Sequence, residues 1–103
     1  MNRRLELQAK LEEILGSRNV YYNPMESTKI EYPAIVYRPN SFYIRKADNK
    51  IYNDIRSYTI TTLYNSAKDN PVVDKLLNEF EYISYSSHYI ADNINHDNFN
   101  LYY

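Results

Sequence analysis

No cysteine occurs among the 103 residues, which excludes disulfides, thiolate nucleophiles and cysteine-based zinc sites together. The fold must then be held by packing alone, which suits a reducing cytosol. Glycine occurs once, at Gly16, and a chain with a single glycine cannot build the phosphate-cradling turns of Walker or dinucleotide sites. Net charge is only −1 with a pI of about 6.1, so the global positive field that holds phosphate backbones by counterion release is missing. Long hydrophobic runs are missing too. The first ten residues alternate charge with leucine where a signal segment would be apolar, and no run approaches the roughly 18 apolar residues that span a bilayer. The expectation is a soluble protein made in the cytoplasm, with no membrane partner and no cofactor.

What the chain has in quantity is tyrosine. Hydrophobic residues make up 44% and charged residues 24%, yet mean hydropathy is as polar as −0.69. Thirteen tyrosines account for the discrepancy, because each counts as polar while carrying a ring that can bury its face and keep its hydroxyl wet. A chain this rich in aromatics is not composed like a disordered one. Its length fits one domain over residues 1–103, burying about 60 to 65% of the unfolded surface. A partner subunit covering further apolar surface would add materially to stability at that size.

Leu7, Leu11, Ile14 and Leu15 recur at helical spacing, which predicts an amphipathic helix over residues 2–15 with Arg4, Glu6, Lys10 and Glu13 on its solvent side. Gly16 should end it as a left-handed cap. Residues 19–22 read as a short strand and residues 32–38 as a second. The centre of the second, Ala34-Ile35-Val36, is apolar without alternation and predicts burial on both faces; Pro33 and Pro39 bracket it where a missing ladder donor is tolerable. Residues 41–46 and 56–64 read as the arms of a long hairpin with turn chemistry at Asp48-Asn49-Lys50. A second helix should begin at Asp69 or Asn70 with Pro71 in its first turn, presenting Val72, Val73, Leu76, Leu77 and Phe80. Residues 82–86 and 98–103 read as strands separated by an Asn/Asp/His-rich loop, with Phe99, Leu101 and Tyr103 sharing one face. The fold class is α+β: a single small domain whose antiparallel or mixed sheet carries both helices on one face.

Four residues have the chemistry of a hydrolytic metal site, His88, Asp92, His96 and Asp97. Spacings of four would align the first three on a helix, but Asn93, Asn95 and Asn98 give the segment poor helix propensity. In a strand or loop these side chains scatter, and Asp and Asn there more commonly bond local backbone. The run Ser86-Ser87-His88 lacks the glycine-flanked elbow of a nucleophilic serine. The tyrosines could stack on single-stranded bases, a use that normally comes with a basic groove; with charge near zero, a protein interface suits them better. The hairpin near residues 42–58 should project and contact a neighbouring subunit through Tyr43, Ile51, Tyr52 and Ile55.

Three stretches carry a resemblance: Asn19-Val20-Tyr21-Tyr22-Asn23-Pro24 with Glu26-Ser27; Tyr32-Pro33-Ala34-Ile35-Val36-Tyr37; and Tyr89-Ile90-Ala91-Asp92-Asn93-Ile94-Asn95-His96-Asp97 with Phe99-Asn100-Leu101-Tyr102-Tyr103. Together they resemble the tail-terminator or tail-completion proteins of long-tailed bacteriophages, small minor capsid proteins encoded among head–tail joining genes. Residues 66–87 follow the pattern less closely, with Ser84 to Ser87 where it is more basic. The resemblance implies a non-enzymatic virion protein of the neck, assembled in the host cytoplasm. It implies a homohexameric ring that caps the tail tube protein and meets the head–tail connector or stopper protein, with DNA passing through the lumen without sequence readout. Two alternatives are a head-completion or connector-stopper protein and, from a different class, a small metal-dependent hydrolase using His88, Asp92, His96 and Asp97.

Overall fold

Helix α1 spans Arg3–Leu15 and buries Leu7, Leu11 and Ile14, positions that the 3.6-residue period stacks on one side. Gly16 follows at φ 83° and donates its N–H to the Glu12 carbonyl at 2.8 Å, the left-handed cap expected of it. Strand β1, Val20–Tyr22, stops at Asn23, which is itself left-handed at φ 46°. Strands β2, Ala34–Pro39, and β3, Ser57–Tyr64, come next. Helix α2, Pro71–Glu79, starts where the sequence places it: the Asn70 side chain accepts the Val72 N–H at 3.1 Å and Pro71 occupies the first helical position. Strands β4, Ile83–Ala91, and β5, Ile94–Tyr102, complete the chain. The computed structural model describes residues 3–40, 56–65 and 70–103.

These five strands form one mixed sheet in the order β1-β2-β3-β5-β4. β1 runs parallel to β2 and every other pairing is antiparallel. The protein is therefore an α+β domain, with two helices and a five-stranded sheet among the described residues. Register sets Tyr37 beside Ile60 and Ile60 beside Phe99, and period-2 alternation carries this line across the sheet as one face. Ile35, Tyr37, Tyr58, Ile60, Phe99 and Leu101 pack there against Leu7, Leu11, Val72 and Leu76, so both helices cover the same face. Each large apolar side chain buried in this layer contributes roughly 1.5 to 3 kcal/mol. The other face holds a smaller cluster of Ala34, Val36 and Leu63 flanked by Tyr21, Ile30 and Ile94. Residues 34–36 are thus buried on both sides, as their unbroken apolar run implies.

Tyrosine serves this core as a ring with a polar end. The fully buried Tyr37 ring packs edge-on to Tyr58 at 5.9 Å and lies 5.0 Å from Tyr22. Its hydroxyl donates to Gln8 Oε1 at 2.6 Å and accepts from Arg4 at 3.3 Å. Burial pushes the Tyr37 phenol above its usual range, with Arg4 opposing. Pro39 ends β2 without harm to the ladder. Asn40 N–H donates to the Ser57 carbonyl at 2.9 Å, so alternation turns the donor that Pro39 lacks toward β1, which has already ended.

The structure revises the C-terminal third. The Asn/Asp/His-rich loop expected between strands 82–86 and 98–103 is strand for most of its length: β4 and β5 are nine residues each, joined by Asp92-Asn93 alone. Both turn residues have positive φ, 54° and 66°, the requirement of a type I′ hairpin turn that Asp and Asn tolerate. Asn95, Asn98 and Asn100 are poor strand formers, but pairing to β3 on one side and β4 on the other overrides that preference. Leu77 is another departure. It lies exposed on α2 while Val72 and Leu76 take the buried stripe. The strand expected over 41–46 falls outside the described residues; the described hairpin partner of β3 is β2.

Candidate functional site

The strand geometry of residues 88–97 leaves His88 and Asp97 as cross-strand partners and sets Asp92 and His96 apart from them. Asp92 sits in the turn at the end of the hairpin. His88 pairs with Asp97 in register while Tyr89 pairs with His96, so alternation sends His88 and Asp97 to the helix side and His96 to the opposite side. His88 Nε2 lies 3.2 Å from Asn95 Oδ1. His96 Nδ1 lies 3.0 Å from the Ile94 carbonyl, and its ring stacks on Tyr89 at 4.5 Å and 13°. Among the described residues no group of three His, Cys, Asp or Glu side chains is placed to hold a metal ion.

Asp97 has a different role from the one its neighbours suggested. The residue is only 4% exposed, and each carboxylate oxygen accepts a phenol: Tyr64 donates to Oδ2 and Tyr85 to Oδ1, both at 2.7 Å. Burial of a charge is costly unless it is fully hydrogen-bonded, and two charge-assisted bonds meet that condition. The arrangement ties β4, through Tyr85, and β3, through Tyr64, to the β5 strand between them. Donation to Asp97, aided by burial, holds the Tyr85 phenol above its ordinary range.

Beyond this clamp the hairpin turns outward. Tyr85 is 47% exposed, Tyr89 51% and Ile90 64%, with Tyr82 before them and Tyr102 on β5 also exposed. No residue of β4 is fully buried. Apolar and aromatic groups concentrated on two adjacent strands, without charge among the residues of β4, have the chemistry of a protein–protein contact. On the same open face as Tyr89 lies a shallow groove of about 330 Å³. Val36 and Leu63 line it with Tyr32, Tyr89 and Arg38, the guanidinium of Arg38 being held to the Pro24 carbonyl at 3.1 Å.

The interface residues expected from sequence, Tyr43, Ile51, Tyr52 and Ile55, fall outside the described residues. Sequence reasoning read only residues 82–86 as strand and missed the extent and open surface of β4, because the bulge between Tyr85 and Ser87 breaks its alternation in the middle. Two signals could have found it: the Asp-Asn pair flanked by Ile90 and Ile94, which is a hairpin turn signature, and the freedom of residues 83–91 from charge and proline. Compared with known proteins, the chain matches no family model and no curated sequence.

Proposed function

We propose that this chain is a structural assembly protein of a long-tailed bacteriophage, a tail terminator or tail-completion subunit. In this reading it forms a ring, taken as a hexamer, that caps the tail tube and meets the head connector, and DNA crosses the lumen without sequence readout. The observation that carries the reading is the outward-facing β4–β5 hairpin with Tyr85, Tyr89 and Ile90 about half exposed or more, a surface suited to contact with other protein subunits. Near-neutral charge agrees with a protein that surrounds DNA without gripping its backbone. The resemblance of residues 19–24, 32–37 and 89–103 to tail-completion proteins supplies the biological setting.

Electron microscopy of a lysate from a phage lacking this gene tests it. A terminator stops tube growth by occupying the last ring, so its loss should leave full heads beside unattached tails, many over-long. Normal-length tails beside heads that have lost their DNA would move the protein to the head-completion side of the joint. Stoichiometric zinc or manganese in purified protein, lost in the His88→Asn/His96→Asn double variant, would instead favour the hydrolase.

A further inference from the structure

The outer side of β4 is the feature that neither the core nor the Asp97 clamp explains. β4 ends the sheet, paired with β5 on one side, and among the described residues no strand lies on the other. Such an edge presents a row of backbone N–H and C=O groups that one further extended strand can complete. Edges are commonly guarded by short length, lysine or proline. β1, at the other end of the sheet, is guarded by its length of three residues. β4 has nine residues, ISYSSHYIA, with no charge and no proline.

We propose that β4 pairs with β4 of a second copy of this chain, antiparallel across a two-fold axis, joining two five-stranded sheets into one. The backbone edge calls for an extended strand, and an uncharged one meets its own copy without like-charge repulsion. The side-chain pattern identifies the copy. Because of the bulge between Tyr85 and Ser87, Ile83, Tyr85, His88 and Ile90 share the helix side with Leu101, Phe99, Asp97 and Asn95, while Ser84 and Tyr89 lie on the open side. This order is unchanged by reversal about the midpoint of Ser86 and Ser87. A two-fold axis there sets Ile83 opposite Ile90, Tyr85 opposite His88 and Ser84 opposite Tyr89 of the second copy. Each residue thus meets one on its own side of the sheet, and only small serines lie at the axis. The exposed Ile90 and Tyr85 gain cross-strand neighbours. A two-fold contact closes at two copies, so it is additional to any contact that closes a ring, and its test does not depend on the lysate phenotype.

The absence of cysteine makes single replacements clean probes. Under mild oxidation Ser86→Cys and Ser87→Cys should each form a covalent dimer. Ser84→Cys should not, since the antiparallel register sets its two copies roughly 17 Å apart, beyond the ~7 Å reach of a disulfide. Light scattering of the parent chain should give twice the 12.4 kDa protomer mass, or an even multiple of it where a ring contact also forms. Ser86→Lys, which brings two ammonium groups to the axis, should raise the dissociation constant at least about tenfold, with the circular dichroism melt unchanged at a dilution where both chains are monomeric. A monomer at the highest soluble concentration, crosslinking at Ser84→Cys as ready as at Ser86→Cys, or a larger assembly without crosslinks at either central serine would overturn the proposal.

Discussion

Strands β4 and β5 have nine residues each and run antiparallel from a shared two-residue turn, but β5 buries Asp97, Phe99 and Leu101 while β4 fully buries nothing. Composition would have assigned them the other way. INHDNFNLY, in β5, carries an aspartate and three asparagines, whereas ISYSSHYIA, in β4, has two isoleucines, two tyrosines and no charge. Position in the sheet decides the matter: β5 is inserted between β3 and β4, where Phe99 and Leu101 meet the helix layer. Its asparagines sit largely on the other face, where Asn98 accepts Thr61 Oγ1–H at 2.7 Å. The more apolar strand is left at the margin. Its side chains are therefore better accounted for by something outside the protomer than by the protomer's own core.

The comparison breaks most severely if β5 is shortened. Removing residues 99–103 takes Phe99 and Leu101 out of the core and leaves β4 without its partner along residues 83–85. The two side chains are worth roughly 1.5 to 3 kcal/mol each, and with the lost ladder the total rivals the roughly 5 to 15 kcal/mol typical of a whole domain. The truncated chain should show no cooperative thermal transition by circular dichroism. A sharp transition would demote β5 from its central role.

Point substitutions draw the contrast more finely. At a dilution where the chain is monomeric, Phe99→Ala should lower the unfolding free energy by about 3 to 5 kcal/mol in urea titration, whereas Ile90→Ser on the paired strand should change it by less than about 0.5 kcal/mol. Equal effects would mean that β4 is buried within the protomer in solution. Between these extremes lies Asp97→Asn, which weakens two charge-assisted bonds and should cost about 1.5 to 3 kcal/mol. If Tyr64 and Tyr85 act through that carboxylate, Tyr64→Phe and Tyr85→Phe should each cost much less when combined with Asp97→Asn than in the parent. Additive losses would show the phenols acting independently of Asp97.

The smallest effect is alkaline. Tyr85 and Tyr37 both have phenols raised above the ordinary value of about 10, so the folded state holds these protons more tightly than the unfolded chain. The stability this supplies is complete below about pH 10 and is lost as pH rises through the elevated folded values. Tyr85→Phe should flatten the alkaline limb of a stability curve, and an unchanged limb would remove Tyr85 as a contributor.

Much of the fold was legible in advance because its signals are local. The stripe of α1, the Gly16 cap, the Asn70-Pro71 start of α2, the alternation of β3 and the two-sided burial of residues 34–36 each depend on neighbours within a turn or two of chain. The candidate site was far less legible. Tyr64 and Asp97 are 33 residues apart, and no local pattern announces that a strand's pairing will bring a phenol to a carboxylate. The same segment that offered an apparent metal set, His88, Asp92, His96 and Asp97, is divided once a two-residue turn fixes its register, with His88 and Asp97 on one side of the sheet, His96 on the other and Asp92 in the turn.

By itself the sequence determined an α+β domain held without disulfides, with two amphipathic helices on one sheet face and tyrosine as its main amphipathic residue. Only the tertiary structure decided the order β1-β2-β3-β5-β4, and with it which of two adjacent strands is core and which is edge. The physical reason is that helical stripes and strand alternation arise from backbone geometry repeated every few residues. Strand order instead depends on which distant segments bury the most apolar surface and complete each other's hydrogen bonds, a choice made by the whole chain at once.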